Sequence, residues 1–233
     1  MAETTPRADR ARRIADVLRQ QVLAGAYQTL PDERTLAADF GASRNAVRDA
    51  LALLAGEGLV VRRRGVGTVV VGQRHRHPLS RLTGLAETLT GTVRNEVRAA
   101  SPQRAPAPVA ARLGTDDTVY LERLRYLDDE PLSLDRTYLT GDVGRPLLGA
   151  DLAHRDVFAL IEETTGVPLG TADLDVRAAT ADAHTAALLR VPEGAALFAI
   201  ERLSRFADGR PVDLEYLMVR GDRLTLHAAL DRR

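Results

Sequence analysis

The chain has no cysteine among its 233 residues. That removes disulfides, thiolate nucleophiles and thiolate metal sites together. Lysine is missing as well, since all 32 Lys+Arg positions are arginine. Without a lysine amine there is no Schiff base to pyridoxal phosphate and no P-loop lysine for nucleotide phosphates. No apolar run approaches the roughly 20 residues that span a bilayer, and the leading Ala-Glu-Thr-Thr-Pro-Arg has no apolar core of a secretory signal. The expectation is a cytoplasmic protein without a membrane partner. The five histidines show no ligand spacing. His75 and His77 alternate in a basic stretch with no carboxylate or thiol beside them, so they are expected to be solvated or phosphate-facing, with no metal and no cofactor.

What is present suits two ordinary domains: 45% of the residues are hydrophobic and 27% charged. The net charge of zero is unevenly spread. Residues 1–76 carry 13 Arg against 8 acidic residues, and residues 77–233 carry 19 against 24, which is +5 and −5. A basic half next to an acidic half points to a polyanion partner for the first and another task for the second.

Residues 31–68 read as two helices joined by a tight turn and followed by a glycine-tipped hairpin. Pro31 and Asp32 open the first helix, whose apolar face is Leu36, Ala37 and Phe40, and Gly41 ends it. Ser43 stands at the N-cap of the second, with Val47, Leu51 and Leu54 as its apolar set, Ala50 and Leu53 flanking, and Gly56 and Gly58 closing it. Arg44 and Arg48, four residues apart, share the opposite face with Ser43 and Asn45 at the positive end of the helix dipole. Guanidinium groups there can grip phosphate or guanine, and Asn45 can pair with adenine. Valines 60, 61, 69, 70 and 71 flank Arg62-Arg63-Arg64-Gly65-Val66-Gly67-Thr68, a hairpin whose arginines suit a narrow groove. An earlier helix places Ile14, Val17, Leu18, Val22 and Leu23 on one side.

The second half contains an internal echo. Tyr120-Leu-Glu-Arg-Leu-Arg-Tyr-Leu-Asp-Asp-Glu-Pro-Leu-Ser-Leu-Asp135 returns as Phe198-Ala-Ile-Glu-Arg-Leu-Ser-Arg-Phe-Ala-Asp-Gly-Arg-Pro-Val-Asp-Leu-Glu215. Each copy reads as strand, Asp-rich turn, proline and strand, preceded by an Ala-rich helix at 108–113 or 182–189. Two such units predict a pseudo-symmetric domain with the strands of both copies in one antiparallel sheet.

Residues 11–71 resemble the N-terminal domain of the GntR superfamily of bacterial transcriptional regulators, on the Glu33-Arg-x-Leu-Ala, Ser43-Arg-x-x-Val-Arg-x-Ala-Leu, Glu57-Gly-Leu and Gly65-x-Gly-Thr runs. The resemblance implies DNA contacts at Arg34, Ser43, Arg44, Asn45, Arg48, Arg64 and Gly65. Asp32 stands where the family usually has serine, and no DNA contact is assigned to it. Residues of about 80 to 230 resemble the UTRA effector-binding domain of the HutC subfamily, which shares its fold with chorismate lyase. Arg123-Leu-Arg125, Glu130-Pro131, Asp208-Gly209, Pro211 and Arg220-Gly-Asp-Arg223 carry that likeness. It implies a small polar or anionic effector held by Arg123, Arg125, Asp135, Tyr138, Asp213 and Arg220. The alternative for these residues is a set of sheet salt bridges, such as Arg125 with Asp135 across the hairpin. Asp156 and Val219 replace the serine and tyrosine of sugar-phosphate-sensing members, and a carboxylate at 156 repels phosphate. An effector other than an amino-sugar phosphate is therefore expected.

The fold class expected is α+β, with a winged helix-turn-helix domain at 1–73, a linker at 74–82 and a UTRA-like effector and dimerisation domain at 83–233. The function expected is that of a DNA-binding regulator, in the repressor sense, acting as a homodimer on a palindromic double-stranded operator. A lyase-like enzyme is the alternative from another class, against which stands the lack of a Ser/His/Asp constellation.

Overall fold

The computed structural model describes residues 6–72 and 75–231, which divide into two compact units, Met1–His75 and Arg76–Arg233. In the first unit, α1 (Pro6–Leu23) buries Ala11, Ile14, Ala15, Leu18 and Val22. Val17, expected on that face, is 47% exposed, because one residue along a helix turns the side chain by roughly 100° and carries it off the Leu18 stripe. The Asp32 carboxylate caps α2 (Glu33–Asp39) by accepting the Arg34 and Thr35 backbone N–H groups at 2.9 and 2.8 Å. The Ser43 hydroxyl caps α3 (Arg44–Gly56) by accepting the Ala46 N–H at 3.3 Å. Ala46, Val47, Ala50, Leu51 and Leu54 of α3 complete the core with α1, while Leu53 faces outward. The wing is β1 (Val60–Arg63) and β2 (Gly67–Val70), antiparallel with Arg62 opposite Thr68. Residues 28–30 run beside it: Leu30 N–H donates to the Thr68 carbonyl at 2.8 Å and Val70 N–H to that of Gln28 at 3.0 Å.

The second unit is built on the repeat. Its elements are β3 (His75–Pro78), β4 (Val93–Arg104), α4 (Ala107–Leu113), β5 (Asp117–Leu127), β6 (Glu130–Thr140), α5 (Gly141–Leu147), α6 (Val157–Thr165), β7 (Leu169–Thr180), α7 (Ala183–Leu189), β8 (Ala196–Phe206), β9 (Pro211–Arg220) and β10 (Leu224–His227). Six strands form one antiparallel sheet in the order β4-β5-β6-β9-β8-β7. The run β4-α4-β5-β6 and the run β7-α7-β8-β9 thus lie as mirror orders about the central β6–β9 pair, which is the pseudo-symmetry the echo implies. The Asp-rich turns serve their hairpins through left-handed backbone: Asp128 and Asp129 have φ of 51° and 63°, and Gly209 has φ of 85°. Part of the stretch read as linker is ordered differently, since β3 pairs with β10.

Each face of the sheet has its own cover. Helices α4 and α7 pack on one face over Leu203, Leu214, Leu124, Leu134 and Leu197. On the other face lie α5 and α6, over Leu121, Leu139 and Phe206, and the 85–93 region with β10, over Leu217 and Val219.

Candidate functional site

On the first unit, Arg34, Ser43, Arg44, Asn45, Arg48, Arg64 and Gly65 are all exposed. The backbone explains the tip: Gly65 has φ of 79°, and Val66 N–H closes the turn on the Arg63 carbonyl at 3.2 Å. One residue was missed by sequence reasoning. Glu33, at the start of α2, takes Arg48 Nη2 of α3 at 2.8 Å and faces Arg62 Nη1 of the wing at 3.4 Å. The Arg48 hydrogen bond is the main cause that holds the Glu33 carboxyl below the usual glutamate range. Glu33 therefore ties an arginine of α3 to an arginine of the wing. Its place beside Arg34 in the quoted motif was the only signal, because the contacts cross long stretches of chain.

The six residues expected to hold an effector do not converge. Side chains alternate along a strand, so the register places Arg123, Arg125, Asp135 and Asp213 on the α5–α6 face and Tyr138 and Arg220 on the other. Tyr138 packs in the cluster of Val109 and Leu113 of α4, its ring 5.1 Å from that of Tyr120. Arg220 pairs with Asp222 at 2.7 Å and donates to the carbonyls of Pro131 and Leu189.

The four that share a face are buried, and two of them pair directly. Arg125 Nη2 meets Asp135 Oδ2 at 2.8 Å, the pair weighed as the alternative reading, and Arg125 Nε donates to Asn95 Oδ1 at 3.1 Å. Ser133 Oγ donates to Asp135 Oδ1 at 2.7 Å. Arg123 reaches the carbonyls of Leu152 and Arg155 at 3.4 Å each. Asp213, with no exposed surface, accepts a long 3.4 Å bond from Ser204 Oγ. Its carboxyl is pushed well above the usual range by burial first and by the neighbouring Glu215 second. Burial, then the charge of Arg125, lowers the Arg123 guanidinium. Even so, Arg123 Nε, Arg125 Nη1 and Asp213 Oδ1 are buried without hydrogen-bond partners.

Arg202 belongs to the same face and was also missed. It lies opposite Glu215 in the β8–β9 register and donates Nε to Glu215 Oε2 at 2.8 Å and Nη1 to the Thr83 carbonyl at 3.1 Å. Its guanidinium covers the Phe158 ring at 4.2 Å. The repeat held the signal: Glu201-Arg202-Leu203 echoes Glu122-Arg123-Leu124, and Glu215, four residues after Pro211, echoes Asp135, four after Pro131. Arg123 faces Asp135 across the first hairpin as Arg202 faces Glu215 across the second.

Beside Arg202 opens a cavity of about 290 Å³ between this sheet face and a strap made of β3, residues 79–85 and β10. Ile200, Leu217, Leu174 and Leu224 line it, and none of the six expected effector residues does. His77, expected to be solvated or phosphate-facing, is buried in its lining with Nδ1 2.8 Å from Thr88 Oγ1. Burial first, and then the charges of Arg202 and Arg125, lower its pKa to about 4, so the ring is neutral. Among the described residues no cluster of His, Asp or Glu could hold a metal ion, and no helix is long and apolar enough to cross a membrane.

Comparison with known proteins agrees with both halves. Residues 10–70 match the family described as bacterial regulatory proteins, gntR family, and residues 89–225 match the UTRA domain. An HTH-type transcriptional regulator of Mycobacterium tuberculosis is 30% identical over 94% of this chain and 82% of its own length. The HTH-type transcriptional repressor NagR of Bacillus subtilis is 26% identical over 94% and 93%. Among solved structures, PhnF from Mycobacterium smegmatis superposes with a TM-score of 0.66 at 27% identity, covering 94% of this chain and all of that one.

Proposed function

The chain belongs to the bacterial gntR family of regulatory proteins that carry a UTRA domain, and from that premise we propose that it is a cytoplasmic homodimeric repressor of a palindromic operator, tuned by a small polar or anionic molecule. That it is a transcriptional regulator, with a DNA-binding and an effector-binding part, follows from the family; its relatives are regulators, not enzymes. One recognition helix and one wing read only a half-site, which is the argument for a symmetric pair on a two-fold operator.

Arg44, Asn45 and Arg48 are assigned to base edges and phosphates of the major groove, with Ser43 and Arg34 on the backbone and Arg64 and Gly65 at the wing tip. The effector reading rests on one observation above all: buried guanidinium and carboxylate groups on a single sheet face keep unmatched polar atoms, next to a cavity. Such groups are costly unless completed, and a polar ligand completes them. Arg123, Arg125, Asp135 and Asp213 form that set, and Arg202 links it to the cavity wall. Tyr138 and Arg220 stay outside it.

The test is binding of the purified chain to a footprinted operator, read by fluorescence anisotropy. Arg44→Ala and Arg48→Ala are each expected to lose about 1 to 3 kcal/mol per half-site with an unchanged circular dichroism spectrum. Wild-type affinity in both variants would remove the recognition helix from the DNA.

A further inference from the structure

We infer that the cavity between the strap and the sheet binds an aliphatic monocarboxylate, with its alkyl chain against Ile200, Leu217 and Leu224 and its carboxylate at the rim beside Arg81. This goes beyond the effector reading and rests on it for its regulatory part alone, because the ligand meets the cavity lining and not the unmatched atoms of Arg123, Arg125 and Asp213. The lining carries the argument. Its walls are mainly aliphatic, with Ser80, Thr83 and Thr171 among them; no phenylalanine, tyrosine or tryptophan lines it, and the one ring present, His77, is engaged with Thr88. No aspartate or glutamate lines it either; the ionisable groups on its surface are His77, Arg81 and Arg202.

Those three groups are not equivalent. Arg202 is already matched by Glu215 and by the Thr83 carbonyl, and His77 is neutral and bonded to Thr88. Arg81 is exposed and makes no ion pair among the described residues. The cavity therefore has a mainly apolar lining, a compensated Arg202, and in Arg81 one exposed cation without an ion pair among the described residues. Thr83 supplies a buried hydroxyl without a partner on the same lining. A molecule that fits has an aliphatic body, no positive charge and a single anionic end. The volume of about 290 Å³ sits at the lower end of small-molecule sites, near 300 Å³, which suits a short or medium chain.

The position of the site has a consequence for regulation. Its strap includes β3, the strand within which the chain passes from the first unit to the second. An occupant bears directly on the connecting strand, so its binding energy is available to the segment that joins DNA binding to sensing.

The experiment uses the full chain and the straight-chain acids from butanoate to nonanoate. Calorimetry is expected to show saturable binding that tightens about fourfold per methylene, the value of a buried CH₂, until the cavity is full, and then levels off. Arg81→Ala, an exposed change that leaves the core alone, is expected to weaken octanoate about two- to fivefold and to leave octanol unaffected. Absence of saturable binding at every length, or equal affinity at all lengths, overturns the inference, as does an Arg81→Ala variant that loses octanol as much as octanoate. Operator binding separates this inference from the reading beneath it. If octanoate binds in the expected pattern while operator affinity stays constant, the site stands and the regulatory reading falls. If glucosamine 6-phosphate loosens the operator and octanoate does not, the ligand class falls and the regulatory reading stands.

Discussion

Asp213 sits near the start of β9 with no exposed surface, and its carboxyl is pushed well above the usual value of 3.8. A carboxyl that holds its proton more tightly folded than unfolded contributes stability below the unfolded pKa and loses it as pH rises through the higher folded value. Ionised Asp213 would then lie beside Glu215 with only the Arg202 and Arg123 charges to offset it. An asparagine has nearly the same shape and never ionises. The melting temperature of Asp213→Asn relative to wild type should therefore climb as pH rises from 4 to 8, measured by differential scanning fluorimetry in matched buffers. A constant difference across that range would mean that Asp213 is already ionised at the low end. His77 works in the opposite sense: with its pKa lowered from 6.5 to about 4, its contribution is present above 6.5 and is lost as pH falls through 4. The comparison is made against wild type at each pH so that the His77 contribution cancels.

Among the elements, α2 and the wing are joined by Glu33, and two effects compete when it is neutralised. On the proposed interface, removing a carboxylate from beside the phosphates strengthens attraction to any DNA, whereas releasing Arg48 loosens a side chain that the proposal assigns to the major groove. Exposed ion pairs are worth at most about 1 kcal/mol, so the loss of positioning is small in stability but falls wholly on specific contacts. Glu33→Gln should bind random duplex more tightly and show a smaller ratio of operator to random affinity, by gel shift at several salt concentrations. A ratio equal to or above that of wild type would show that Arg48 needs no such tether. The helices that carry these residues were legible because their signals are local: Asp32 and Ser43 cap where the side-chain chemistry says they should. The hairpins were legible through the repeat and its turns. The backbone bonds of residues 28–30 to the wing were not, because strand pairing across 40 residues leaves no periodic mark. Tyr138 and Arg220 fall on the opposite face from the other four expected residues for a simpler reason. They share strands with residues of the other face but have the opposite parity, and a shift of one residue exchanges the faces of a sheet.

The whole molecule joins a basic unit to an acidic one, and its cavity is assembled from pieces far apart in the chain, Leu82, Leu174, Ile200 and Leu224 among them. No single stretch advertises such a site, which is why sequence reading reached the charged strands and stopped short of the space beside them. Thermodynamic linkage limits how an effector can act on operator binding in the proposed regulator. If an effector shifts the protein away from its operator-bound form, it does so only through a difference in its affinity for the two forms, and the coupling is reciprocal by thermodynamic necessity. A ligand that weakens the operator complex by some factor must itself bind more weakly, by that same factor, to protein already saturated with operator. Near-complete release from a tightly held site calls for a factor on the order of 100 or more. The measurement is a pair of calorimetric titrations of effector, into free protein and into protein with excess operator duplex, set beside anisotropy titrations of operator with and without effector. The two factors should agree. Unequal factors would mean that the operator and the effector do not act on one two-state equilibrium, for instance because effector binding changes how the chains associate; repeating both titrations over a range of protein concentration would then show the factors moving with it.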